Sequence, residues 1–529
     1  MPYTLAWRLR LFILLAWPLL AIGNPLGADE SSRNDATLLE PRLIHLRNGT
    51  VREWAEFPTQ PPGETWETRF VAVKNEREAT LRWRQQDVKQ TWRVLLNGKP
   101  LTQLVADEQD LAICRPVPAG ALLTGENLLR IESAARGAPA PDDIRVGQWE
   151  LIDRPLDDLL HEATLELQVV DEETRAPLPA RMTIVAASGA LPSIGAVSNE
   201  RLAVRPGVIY SAAGPVKIGL PSGRYTIYAG RGFEYSLAKV EVELKAGAAL
   251  ARTLTIRREV PTTGYLACDP HIHTLTHSGH GDATLDERML TLAGEGIELP
   301  IATDHNIAID FEASAQRMKV RPYFTPVVGN EFTTALGHFN VFPLSKTTPL
   351  PDPQRGDWPA LFDEIFRTPG VKVAILNHAR DLHRGTRPFG PQLYNAVVAE
   401  QLDGWPLRFN AMEVVNSGAT QTAARQLIHD WFGLLNRGQR VTPIGSSDSH
   451  DVARYIVGQG RTYIRGDDRD VGRIDVEAAM NNLLQGRVLV SYGLLTELTV
   501  DEKYGPGEFA APVGDEVSIK VRVLGPHWT

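Results

Sequence analysis

Between about residues 262 and 495 short apolar strands alternate with helical patterns, and almost every strand ends in an imidazole or a carboxylate. The first strand ends in His271 and His273, the second in Asp304 and His305. Glu331, His378, Asp448 and His450 follow at later strand ends, and His338 opens GHFNVFPL just after the strand that holds Glu331. The stretch DPHIHTLTHSGHGD places four histidines and two aspartates in fourteen residues. Of thirteen histidines in the chain, ten lie between His271 and His450. This pattern constrains the fold most. In a parallel barrel all strand carboxyl ends open onto one rim, where such side chains converge without a loop folding into a cage.

The spacing carries chemical meaning. Residues i and i+2 of a strand share a face, so His271 and His273 can reach one ion, as can Asp448 and His450. Asp304 and His305 are adjacent and would point opposite ways. His305 is therefore expected as a ligand and Asp304 as a carboxylate that orients an imidazole. No cysteine joins the set, so the donors are nitrogen and oxygen, which suits Zn, Mn or Fe better than Ca or a sulfur-bound cluster. Glu413, in NAMEVVNS, also ends a strand. It is expected to support the site or to pack rather than to bind metal.

Elsewhere the chain reads as β-structure. Arg8 and Arg10 precede LFILLAWPLLAIG, with Ala21 and Gly23 beyond, the grammar of a cleaved secretion signal over residues 1–23. Export to the periplasm or exterior is expected, with no membrane span in the mature chain. Residues 24–37 read as a flexible lead-in. Residues 38–153 read as an all-β domain in which TWRVLLNGKPL marks a hairpin. Residues 154–260 read as a β-sandwich, and LPSGRYTIYA resembles the closing strands of carboxypeptidase-regulatory, transthyretin-like domains. Residues 496–529 read as the start of a further β element, as if the chain ends inside it. Helices are expected in TLDERMLTLAGEGI, with a Thr284/Glu287 capping box, in DWPALFDEIFRTPG, in TAARQLIHDWFGLLNRG and in DVEAAMNNLLQG. Cys114 and Cys268 are expected to be buried thiols. The formal net charge of −9 is modest and no basic run tracks a phosphate backbone, so nucleic acid is not an expected partner.

HIHT, ATDHN, GNEF with GHFNVF, LNHAR and SSDSH follow, in that order, the motifs of the polymerase-and-histidinol-phosphatase (PHP) superfamily, which residues 261–495 resemble. SGHGDAT and VGQGRTYI look like the CehA/McbA-type metallohydrolases, the group named for carbaryl hydrolase. The resemblance implies a distorted (β/α)7 barrel, an α/β architecture behind two β-sandwich-like domains, with two or three divalent ions at the strand carboxyl ends. It implies a first metal on His271, His273, Glu331 and Asp448, with Glu331 bridging to a second on His338 and His378. A third would take His305, His450 and one ligand from the 277–282 loop. There the sequence departs from the family pattern; His280 is the choice, with His277 and Asp282 as alternatives.

These readings lead to an expected metal-dependent hydrolase in which a metal-bridging hydroxide cleaves a phosphoester or a carboxyl-type ester or carbamate. Asp448 is expected to relay a proton as well as to bind metal, with Asp304 beside it. Arg380, Arg384 and Arg387, in the loop after His378, are candidates for holding an anionic group of a small-molecule substrate. The other reading is a non-catalytic cell-envelope protein that binds glycan or protein through its β-domains and keeps a vestigial metal-binding barrel. GxSxG, the P-loop and a complete GxGxxG fingerprint are all missing, so a serine nucleophile or a nucleotide-driven reaction has no support.

Overall fold

The computed structural model describes residues 35–60, 63–134, 141–382, 386–419, 422–511, 514 and 516–529. The expected signal at 1–23 and nearly all of the lead-in lie outside these residues. Among the described residues no helix is long and apolar enough to cross a membrane.

The first domain stacks two sheets. One runs Ala36–Asn48, Asp142–Ile152, Ala79–Gln86, Leu111–Val117, and the other Thr65–Ala72, Gly125–Ser133, Trp92–Leu96, Lys99–Gln103. Alternating side chains of both sheets meet in one core, where Trp83 and Trp149 stack with ring centroids 4.9 Å apart. Asn97 and Gly98 both have positive φ (52° and 76°), the conformation that a two-residue hairpin turn between Trp92–Leu96 and Lys99–Gln103 requires. The second domain has a five-stranded sheet, with Leu202–Arg205 at one edge, packed on a three-stranded sheet centred on Ala163–Asp171. Its short Leu191–Pro192 strand pairs in parallel with Leu111 and Ala112, tying it to the first domain.

The third domain carries the strand-end residues. Ten of its strands form two five-stranded sheets, and Tyr394–Asn395 pairs with Glu400–Gln401 in a small two-stranded one. The first runs Val327–Val328, Leu299–Ala302, Tyr265–Ile272, Arg461–Arg465, Val488–Ser491. The second runs Asn330–Thr334, Gly337–Phe342, Val373–Leu376, Ala411–Asn416, Thr442–Ser446. Apolar residues of both, among them Leu266, Ile301, Phe342, Ile375 and Ile444, share one core. Tyr265–Ile272 is buried from Leu266 onward, as expected for a strand covered on both faces. The helices Leu285–Gly294, Trp358–Arg367 and Val476–Leu484 are capped by Thr284, Asp357 and Asp475, whose side chains accept from backbone N–H groups of the first turn.

This architecture corrects the expected (β/α)7 barrel. The chain is mostly β-sheet, and no closed barrel is present among the described residues. Part of the reason is local. Only Ala335 and Leu336 separate Asn330–Thr334 from Gly337–Phe342, so these strands must pair antiparallel; a parallel pair needs a crossover of a dozen or more residues. Gly337–Phe342 is also antiparallel to Val373–Leu376, and Arg461–Arg465 is antiparallel to both of its neighbours. Beyond the two sheets, Leu495–Val500 and Ile519–Leu524 pair as a two-stranded antiparallel ribbon. Cys114 and Cys268 are buried and unbridged.

Candidate metal centre

The two sheets of the third domain meet at one end. Isolated parallel bridges join Ile272 to Ser449 and His305 to Glu331, Asp448 N donates to His271 O (2.9 Å), and His273 N donates to Ser449 O (3.1 Å). These links bring ligand-bearing segments nearly two hundred residues apart onto a common floor. Two of the residues there adopt left-handed backbone despite having side chains, His378 at φ 26° and Asp448 at φ 53°. Such strain is retained where surrounding contacts over-determine it. At His378 one such contact is its own N–H, which donates to the buried Glu413 carboxylate at 2.6 Å.

Glu331 is the hub, 1% exposed. Its Oε1 lies 3.3 Å from His271 Nε2, 3.3 Å from His378 Nε2 and 3.1 Å from His338 Nδ1; its Oε2 lies 2.5 Å from His305 Nδ1 and 3.6 Å from His273 Nε2. Asp448 Oδ1 sits 3.2 Å from Nε2 of both His271 and His273. Donor atoms fall into three overlapping triads, each with its atoms within 4.8 Å of one another: His271–Glu331–His378, His271–His273–Asp448 and His273–His305–His450.

The polar atoms at the centre test whether cations fit. Nε2 of His271, His273 and His450 and Oε2 of Glu331 are sealed from solvent, and although several lie within ion-pair distance of one another, none makes a hydrogen bond of acceptable geometry. Buried polar atoms of a folded protein are ordinarily satisfied. Convergent unsatisfied donors of this chemistry fit a divalent cation. Burial holds the His273 imidazole down to about 4 and that of His450 to about 2, so both are neutral with a lone pair to give. Burial also opposes charge on His271, but Asp448, Glu413 and Glu331 outweigh it and raise that imidazole well above its ordinary value. Despite burial, the surrounding imidazoles hold the Glu331 and Asp448 carboxyls well below the usual carboxylate range.

A ring of further contacts orients the donors. Glu413 accepts from His271 Nδ1 (2.6 Å), Ser446 Oγ (2.6 Å), His378 N (2.6 Å) and Asn416 Nδ2 (2.9 Å). Asn377 donates to Glu331 Oε1 at 2.9 Å, and Asn416 to Asp448 Oδ2 at 3.2 Å. Sequence reading passed over Asn377 and Asn416. The available signal was position, since one directly precedes the ligand candidate His378 and the other closes the Ala411–Asn416 strand. Asp304 lies outside the three triads. It accepts from Thr274 N (2.7 Å) and Ser278 Oγ (2.6 Å), and Ser278 Oγ is 3.1 Å from His273 Nδ1. With its one proton given to Asp304, Ser278 must accept from His273 Nδ1–H, which turns the lone pair of Nε2 toward the triads. Asp304 thus reaches the His273 imidazole through Ser278.

The 277–282 loop divides. His280 is exposed and covers His450 and His305, with ring centroids 4.4 and 5.1 Å away, outside the three triads. His277 is half-buried on the short Leu275–Ser278 helix. Asp282 is engaged by Arg205 at 2.8 Å and by Val452 N at 2.7 Å, so it is no ligand here. Arg380, expected on the substrate, is clamped in a two-pronged pair with the buried Asp430 (2.6 and 2.8 Å), which corrects that assignment. Arg387 is exposed, and Arg384 lies outside the described residues.

No family model matches the chain, and no curated protein matches it. Among solved structures, a group B streptococcus pilus 2b backbone protein is 14% identical, covering 37% of this chain and 92% of that one, with a TM-score of 0.15. BcpA, the major pilin subunit of Bacillus cereus, is 13% identical over 41% of this chain and 71% of that one, TM-score 0.15. A Faecalibacterium prausnitzii β-glucuronidase is 12% identical over 55% of this chain and 59% of that one, TM-score 0.18. Similarity at this level assigns neither fold nor activity. The PHP domain label from the motif order and the CehA/McbA label from SGHGDAT and VGQGRTYI are corrected too: the comparisons lend them no support, and the strands do not close into the expected (β/α)7 barrel.

Proposed function

We propose that the chain is an exported metal-dependent hydrolase that uses water to cleave a phosphoester or a carboxyl-type ester or carbamate. One observation carries the reading: three triads, two with a carboxylate and one of imidazoles alone, overlap in one largely buried cluster and share His271 and His273 between neighbours. That donor set suits Zn, Mn or Fe. Bound ions of this kind supply Lewis acidity and lower the pKa of a water toward neutrality, ~7 for zinc.

The chain's own residues do the rest. Glu331 would help to hold bound ions through its carboxylate, with one oxygen beside His271 and His378 and the other beside His305 and His273. Asp448 keeps Oδ1 toward His271 and His273, where it would help to hold an ion, and its side chain, 12% exposed, is within reach of solvent. Glu413, Ser278 and Thr333 hold His271, His273 and His305 by their Nδ1 atoms, so reorganisation during the reaction is small. The amino-terminal signal pattern supports export.

The test is metal analysis of the purified full chain, followed by a panel of phosphomonoester, phosphodiester, aryl-ester and carbamate substrates. Stoichiometric metal and hydrolysis that His271→Ala abolishes are expected. A protein that binds no divalent ion, or hydrolyses equally well after His271→Ala, would refute the proposal.

A further inference from the structure

The His450 end of the cluster is held by residues that belong to neither sheet of the third domain. Arg205 closes the Leu202–Arg205 edge strand of the second domain and commits its whole fork there. Its Nε donates to Asp282 Oδ2 (2.8 Å), Nη2 to Asp282 O (2.6 Å), and Nη1 to Glu287 Oε1 (2.9 Å). Asp282 in turn clasps the His450 segment from two directions. Its Oδ1 accepts from Val452 N at 2.7 Å, and its own N–H donates to His450 O at 3.2 Å, beside Ala283 N at 3.1 Å. At Gly281 a Cβ would stand 2.4 Å from His450 O, so the two segments lie in direct contact. The first domain adds a second hold, as Glu108 accepts from Arg454 at 2.5 Å.

We propose that Arg205 is a positioning residue for the His450 end of the metal centre, so that the second β-domain is a working part of the site. The functional half of this inference rests on the hydrolase reading above; the structural half does not. The geometry goes beyond a boundary ion pair. A planar guanidinium fixes a carboxylate in orientation as well as in place; this carboxylate holds Val452 N just beyond His450, while the Asp282 N–H holds His450 O. His450 Nδ1 is already engaged with Asp448 O at 2.9 Å, while Nε2 is buried and faces the His273–His305–His450 triad. Backbone drift at residues 450–452 therefore moves Nε2 directly. His280 moves with it, because the loop that carries it ends at Asp282.

The test compares the wild-type full chain with Arg205→Ala, Arg205→Lys and Asp282→Asn. Hydrogen exchange on the metal-free proteins should quicken roughly tenfold in peptides covering 279–284 and 450–454 of Arg205→Ala, with the Ala163–Asp171 strand unchanged. Arg205→Lys should restore part of the protection, since a point charge keeps the attraction and loses the fork. In the metal-loaded proteins Arg205→Ala should lose about one equivalent of metal, or bind it about tenfold more weakly, with kcat falling more than KM changes. Unchanged exchange in both peptides would overturn the proposal. If Arg205→Ala does not fold, Asp282→Asn decides: it keeps an acceptor for Val452 N and removes the charge that Arg205 grips, and absence of the local acceleration in it would equally overturn the idea. No metal uptake by the wild-type chain, together with the local acceleration in Arg205→Ala, would defeat the hydrolase reading and leave the positioning intact.

Discussion

Replacing Glu413 with glutamine changes one atom and should disarm the centre. Both carboxylate oxygens of Glu413 accept: Oε1 from His271 Nδ1 and Ser446 Oγ, Oε2 from His378 N and Asn416 Nδ2. Glutamine has one oxygen and one NH2, so its NH2 must face either His378 N–H and Asn416 Nδ2, which only donate, or His271 Nδ1–H and Ser446 Oγ, of which only the hydroxyl can turn to accept. The variant loses charge-assisted hydrogen bonds worth ~1.5–3 kcal/mol each. It also loosens His271, which belongs to two of the three triads. A supporting carboxylate behind a ligating histidine typically accounts for about 10–100-fold in metal affinity, or roughly 1.4–2.8 kcal/mol. The two magnitudes agree, which is why a large effect is expected from an isosteric change. The assay is a competitive chelator titration of Glu413→Gln against wild type, with thermal unfolding of both metal-free proteins alongside. Affinity should fall at least tenfold. Affinity within twofold of wild type would show that His271 needs no partner at Nδ1 and would refute the reasoning.

Ser278→Ala should weaken metal binding by about tenfold, because His273 Nδ1 loses the acceptor that fixes its tautomer; the same titration reads it. Arg380→Ala leaves Asp430 buried without its partner and should cost about 3 kcal/mol of stability in denaturant unfolding. KM for anionic substrates should not change, and a raised KM with stability intact would return Arg380 to the substrate. Burial first, and Glu234 second, push the Glu298 carboxyl up to about 7. The native state therefore holds a proton that the unfolded chain gives up near 4.5, and stability falls as pH rises through that window. Glu298→Gln, which can still accept from Ala267 N, should raise the melting temperature at pH 8 and have little effect near pH 4. The gain is at most about 3 kcal/mol, shared with Glu234; a larger gain at low pH than at high pH would contradict the sign.

The proximity of the ligands was legible because it depends only on local rules. Polar residues at the ends of otherwise apolar strands have one place to go, and period two puts His271 and His273 on the same side. Chain direction was not legible in the same way. The two-residue link at Ala335–Leu336 dictates an antiparallel pair, yet motif order alone reads the same whether its strands close a barrel or divide between two sheets. Long-range pairing was hidden altogether. Asp282 and Arg380 had the right chemistry for metal and substrate, but each is taken by a partner 77 or 50 residues away whose identity no local pattern reveals.

The same distinction explains why the triads do not have equal standing. His271, His273, Glu331 and His378 are held from within the third domain, by Glu413, Ser278 and Asn377, and their geometry follows from strands buried on both faces. His450 depends on a loop whose shape is set by Asp282, and Asp282 by Arg205 from another domain. Two-thirds of the centre is thus fixed by the sheets that carry it, and one-third by how the second domain docks. Loss of docking should therefore empty the His273–His305–His450 triad first and leave His271–Glu331–His378 able to bind. Stepwise chelation that released all metal in a single transition, in wild type and Arg205→Ala alike, would contradict that order.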